Sequence, residues 1–113
     1  MEGSKLYILW TDKDKDKAEK VIMRYLDSII NKQQWAGVEV LLWGPSEELV
    51  ANDLEINKKV LSLIEKGVVI NACEICADEY GIADKLKSLG IKFIDVEDAL
   101  TQILKQQKPF VSF

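Results

Sequence analysis

Gly67-Val68-Val69-Ile70-Asn71-Ala72-Cys73-Glu74-Ile75-Cys76-Ala77-Asp78-Glu79-Tyr80-Gly81-Ile82 holds the signals that decide the fold. Gly67 suits the left-handed residue that ends a helix. Val68 to Ala72 is a short apolar run, the pattern of a strand buried on both faces. Cys73 follows directly, a short helix is expected to run to Tyr80, and Gly81 ends it. A strand entered from one helix and left into another is the unit of a parallel α/β sheet.

The same alternation extends outward in both directions. Upstream, Lys5 to Trp10 reads as a strand, and Thr11-Asp12 offers a turn and a helix N-cap. Ala18, Val21, Ile22, Tyr25, Leu26, Ile29 and Ile30 recur at steps of three and four, which predicts an amphipathic helix over Asp14–Lys32. Val38 to Trp43 is a second strand, and Pro45 suits the first turn of the helix after it. Asn52-Asp53 is expected to break that helix, with Asp53 capping the second piece. Downstream come a second short helix ending at Gly90, a strand at Ile91–Ile94, a helix from Glu97 to Gln106, and an edge strand at Pro109–Phe113. Parallel neighbours need right-handed crossovers, which the intervening helices supply. The whole chain, residues 1–113, reads as one domain.

Composition narrows the function classes. Apolar residues make up 48% and charged residues 30% of the chain, the profile of a globular protein rather than a disordered one. The net charge is −4 without a basic run, which argues against nucleic-acid binding. Lys13, Lys15, Lys17 and Lys20 alternate with Asp12, Asp14, Asp16 and Glu19, as on a solvated helix start. No apolar run reaches membrane-spanning length, and Met1-Glu2-Gly3-Ser4 does not open a secretory signal, so a cytoplasmic location without membrane contact is expected. The chain contains no histidine, which excludes histidine-based triads, histidine metal ligands and imidazole proton shuttling.

In a parallel sheet, reactive groups gather at the carboxyl ends of the strands. Here Cys73-Glu74-Ile75-Cys76 stands at such an end. A cysteine opening a helix meets the positive end of the helix dipole, which favours the reactive thiolate. Glu74, Asp78 and Glu79 act in the opposite sense. The spacing also suits a dithiol–disulfide pair. Two cysteines supply half of a tetrahedral zinc site, and no second pair or histidine completes it, so no metal is expected. The competing structural reading of Cys76 is a small buried side chain on the first helical turn. Trp43-Gly44-Pro45-Ser46 could steady an anion with backbone N–H groups and the Ser46 hydroxyl, or be only a tight strand–helix turn. Thr11 could face the same crevice, or serve only in helix capping. Trp10, Trp35 and Trp43 read as core or interface residues, and Tyr80 as a cover for the cysteine loop.

The start Lys5-Leu6-Tyr7-Ile8, the turn Trp43-Gly44-Pro45-Ser46, the segment Gly67–Ile82 and the later Leu89-Gly90-Ile91 together resemble the DsrE/DsrF-like sulfur-relay family over nearly the whole chain. Cys73 and Gly81 have the family's eight-residue spacing. The resemblance implies a three-layer α/β/α fold with a five-stranded parallel sheet in order 4-3-2-1-5. It also implies a homo-oligomer, a trimer or hexamer. In sulfur-transferring members the cysteine matching Cys73 carries sulfur as a persulfide. Cys76 stands where those members often have a small residue, as in a subset of relatives with two cysteines.

Three functional readings follow. The first is a sulfur relay through Cys73, with donor and acceptor proteins as partners, Cys76 resolving or modulating the persulfide, and no cofactor. The second is a Cys73–Cys76 redox switch. The third is a non-catalytic oligomeric binding module.

Overall fold

The computed structural model describes residues 4–113, so the N-terminal expectation falls, apart from Ser4, outside the described residues. Strands β1 (Lys5–Trp10), β2 (Gly37–Leu42), β3 (Val69–Cys73), β4 (Lys92–Ile94) and β5 (Phe110–Ser112) form one sheet in the order β4-β3-β2-β1-β5. Every pairing is parallel. The architecture and strand order are those expected. Among the described residues no helix is long and apolar enough to cross a membrane.

The first crossover is one helical rod made of α1 (Lys15–Lys17), a π-helical stretch (Ala18–Met23) and α2 (Arg24–Asn31). It starts one residue later than expected because Asp14 is the cap, its side chain accepting from Lys17 N at 3.0 Å. Thr11 and Asp12 therefore do not cap this helix. Asp12 instead accepts from Asp14 N and pairs with Lys17. The second crossover is α3 (Pro45–Asn52) and α4 (Leu54–Glu65), broken where predicted, with Asp53 accepting from Ile56 N at 3.1 Å. α5 (Glu74–Tyr80) and α6 (Ala83–Ser88) link β3 to β4, and α7 (Val96–Lys105), capped by Asp95, links β4 to β5.

Alternation along the strands divides the core unequally. Leu6, Ile8 and Trp10 of β1, Val38, Val40 and Leu42 of β2, and Ile70 and Ala72 of β3 face one way. They pack against Ile22, Leu26, Val50, Ile56, Val60, Leu63 and Leu86 from the helices of that side. The opposite face carries a much smaller cluster in which Leu9 and Leu41 meet Val96 and Ile103 of α7. Trp43, Cys73 and Ile94 border this second cluster. One layer is thus several helices deep in sequence and the other is α7 alone. Register places Trp10, Leu42 and Ala72 in a row, with Cys73 opposite Ile94 one step further on. The carboxyl ends of the central strands therefore finish together, and the loops leaving them meet.

Candidate functional site

The floor of the site is the turn out of β2. Gly44 takes φ 77° and ψ −128°, a conformation that side-chain-bearing residues rarely adopt. This reverses the chain into α3, where Pro45 occupies the first turn as expected. Ser46 is fully buried and its hydroxyl is committed: it donates to Trp10 O and accepts from Trp43 N. Ser46 N donates to Thr11 O at 3.0 Å. The turn is thereby stitched to the end of β1. Glu47 lies at the third position of α3, and its Oε2 accepts from Gly44 N at 3.1 Å.

That contact carries Glu47 inside the protein. Its side chain is fully buried, and Oε1 has no hydrogen-bond partner. Burial pushes its carboxyl up to about 7, against the opposing pull of the Gly44 N–H, the Cys76 thiol and the Cys73 amide. None of the ion pairs among the described residues includes it.

Both thiols come to this carboxyl from the junction of β3 and α5. Cys73 ends β3 and is the N-cap residue of α5, and Cys76 sits one turn on. Both are free and partly buried. The two sulfurs and a Glu47 carboxylate oxygen all lie within 4.8 Å of one another. Cys76 is pushed up to about 12, first by burial, then by its hydrogen bond to Cys73 and the charges of Cys73 and Glu47. So placed, Cys76 keeps its proton at neutral pH. Cys73 also lines an open cleft of about 480 Å³ between the starts of α5 and α7. Phe93, Ile94 and Val96 form its apolar wall, and Glu74, Asp95 and Glu97 make its rim acidic.

The residues singled out in the sequence separate here. Cys73 and Cys76 converge. Gly44 joins them indirectly, because its N–H holds Glu47 and is not free for an anion. Ser46 is adjacent but its hydroxyl is used within the fold. Thr11 turns toward the chain end: its N–H and hydroxyl both point to Phe113 O, at 3.1 and 3.4 Å. Trp10 is core, Trp35 and Trp43 are partly buried against the two clusters, and Tyr80 is exposed. Glu47 was not foreseen. The available signal was a glutamate three residues after Gly44, the place where a carboxylate reaches back to an N-cap N–H.

A five-stranded parallel sheet in this order defines a YchN-like α/β protein of the DsrE/DsrF fold type. The YchN protein of E. coli superposes with a TM-score of 0.71 at 13% identity, over 97% of this chain and 99% of that one. MTH1491 of Methanobacterium thermoautotrophicum, described as of unknown function, gives 0.82 at 13% identity over the same shares. BT1422 of Bacteroides thetaiotaomicron, a conserved protein of unknown function, gives 0.92 at 33% identity over 97% of this chain and 95% of that one. The chain belongs to the family of BT1422. No family model and no curated protein matches it.

Proposed function

We propose that this protein carries sulfur as a persulfide on Cys73, between a donor and an acceptor protein. The observation behind this reading is that Cys73 is only partly buried and lines the open cleft, with a second sulfur within 4.8 Å. In the loading step the Cys73 thiolate attacks the outer sulfur of a donor persulfide. The donor S–S bond breaks, the donor thiolate leaves with the electron pair, and Cys73–S–SH forms. Unloading is the same exchange onto an acceptor thiolate. Alternatively, Cys76 attacks the inner sulfur as it gives up its proton, closing a Cys73–Cys76 disulfide and expelling the outer sulfur, which takes that proton, as hydrogen sulfide. No cofactor takes part.

The reading includes a cytoplasmic location and a homotrimer or homohexamer, consistent with a sheet face covered by α7 alone. Sedimentation should give a mass of three or six chains. The central test is incubation with a low-molecular-weight persulfide followed by intact mass measurement. Wild type and Cys76→Ser gain one sulfur atom, and Cys73→Ser gains none. A Cys73→Ser chain that still loads would refute the assignment.

The proximity of the sulfurs also favours a second reading, a dithiol–disulfide switch. It predicts loss of two hydrogens on mild oxidation by a small disulfide, with that reagent reduced in exchange. Both cysteines are then required, whereas loading requires Cys73 alone.

A further inference from the structure

We propose that Cys73, Cys76 and Glu47 form a three-ligand binding site for a thiophilic divalent metal ion of the zinc class, with the fourth coordination position open to the cleft. The proposal goes beyond the sulfur-carrying role and does not depend on it. Two cysteines at this spacing are the usual chelating half of a zinc site. What was missing in the sequence was a third donor, and the fold supplies it from a different crossover. The three donor atoms lie within 4.8 Å of one another. Zinc–sulfur bonds of about 2.3 Å at a tetrahedral angle place two sulfurs about 3.8 Å apart. A zinc–oxygen bond of about 2.0 Å likewise places each sulfur about 3.5 Å from the oxygen, so contraction by about 1 Å at most between the sulfurs and about 1.3 Å at most toward the oxygen, within reach of side-chain rotation, closes the set around an ion.

Glu47 is the independent observation. A fully buried carboxylate with one oxygen unpartnered calls for a specific explanation. Its two oxygens have divided roles. Oε2 accepts from the Gly44 N–H, the kind of outer contact that orients a metal ligand. Oε1 is left as a free donor with no ion pair to satisfy it. The cleft wall adds Glu74, Asp95 and Glu97, a rim that attracts a cation and repels an anion. Cys73 borders that cleft, so the fourth position falls to water or an incoming ligand. Three protein ligands and one open position are the pattern of a reactive rather than a sealed zinc site. A bound ion ties up both thiols, so the loaded-metal and persulfide-carrying forms exclude one another.

The test is anaerobic titration of the reduced full-length protein with cobalt(II), followed by displacement with zinc(II). The expected result is one cobalt per chain, with thiolate-to-cobalt charge-transfer bands and the visible bands of tetrahedral coordination, all lost when one equivalent of zinc is added. Cys73→Ser and Cys76→Ser abolish the charge-transfer bands. Glu47→Gln weakens binding at least about 10-fold and alters the visible bands. X-ray absorption of the zinc-loaded wild type reads the site directly, whatever the variants do, and should show two sulfur and two oxygen neighbours. Absence of tetrahedral bands, unchanged affinity in Glu47→Gln, or a four-sulfur shell would each overturn the three-ligand site. Persulfide loading of the metal-free protein is read separately, so failure of one assignment leaves the other standing.

Discussion

Replacing Gly44 by alanine isolates the backbone conformation on which the site is built. Gly44 sits at φ 77°, ψ −128°, whereas Gly81, at the end of α5, sits at φ 69°, ψ 32°, in the ordinary left-handed helical region. A Cβ built on either meets nothing within 4 Å. Neither substitution causes a clash, so the loss is purely conformational in both. At Gly81 alanine costs about 1 kcal/mol, and asparagine, which tolerates the left-handed region, recovers most of it. At Gly44 the required ψ lies outside that region, so alanine costs about 2 kcal/mol and asparagine gives no relief. For a domain of this size, about 2 kcal/mol corresponds to roughly 8 °C in Tm. Urea denaturation of Gly44→Ala, Gly44→Asn, Gly81→Ala and Gly81→Asn provides the comparison. Rescue by asparagine at both sites, or loss of less than about 0.5 kcal/mol in Gly44→Ala, would refute the claim that Gly44 is held in a glycine-only conformation.

Other outcomes follow from burial and charge. Leu42 and Leu41 are both fully buried but face opposite layers. Leu42→Ala should lose about 4 kcal/mol and Leu41→Ala about 2–3, because the layer held by α7 alone collapses more readily into the space left; equal losses in chemical denaturation would contradict this. The carboxyl of Asp53 is held below its ordinary 3.8, first by the Ile56 N–H and then by Lys15. Its folded-state pKa is depressed, so its contribution is present above pH 3.8 and is lost as pH falls through the folded value. Asp53→Asn keeps the cap but removes the titration, so Tm should fall less steeply below pH 4 than in wild type. A chelator added to zinc-loaded protein should restore reaction of Cys73 with an aromatic disulfide, and unchanged reactivity would show that the ion does not engage that sulfur.

How far the sequence could be read follows from the range of each signal. The sheet was legible because each strand is a local apolar run and each crossover a local period, so Leu6–Trp10 and Ile22–Ile29 announce themselves without knowledge of their neighbours. Asp53 was legible for the same reason: its hydrogen bond is made three residues away. Asp14 was not singled out as the cap because Thr11, Asp12 and Asp14 all satisfy the same local rule; Thr11 is drawn to Phe113 and Asp12 to Asp14 N and Lys17, which leaves Asp14 to accept from Lys17 N. The cysteine pair was visible as a motif. Glu47 was not, because its burial depends on the β2 turn meeting the start of α5, a contact between two crossovers that no local pattern encodes. Ser46 shows the converse. It looked available in sequence, and the chain consumed its hydroxyl in joining β1 to β2.

Charge balance links the two proposals made for this site. With Glu47 and both thiols ionised, three negative charges would share a pocket in which each pair is no more than 4.8 Å apart. At an effective dielectric constant near 20, each pair would repel by at least about 3.5 kcal/mol. No lysine or arginine among the described residues forms an ion pair with Glu47, and the cleft contributes three further acidic side chains instead of a base. Only protons or an external cation can relieve that repulsion. With protons retained on Glu47 and Cys76, the sulfur of Cys73 remains at the cleft as the one group free to exchange sulfur. With a divalent ion, all three donors turn inward and thiol chemistry stops. Metal supply would then set the fraction of chains able to carry sulfur, and zinc added during persulfide loading should reduce the loaded fraction in proportion to site occupancy. Full loading at saturating zinc would separate the two activities and end this coupling.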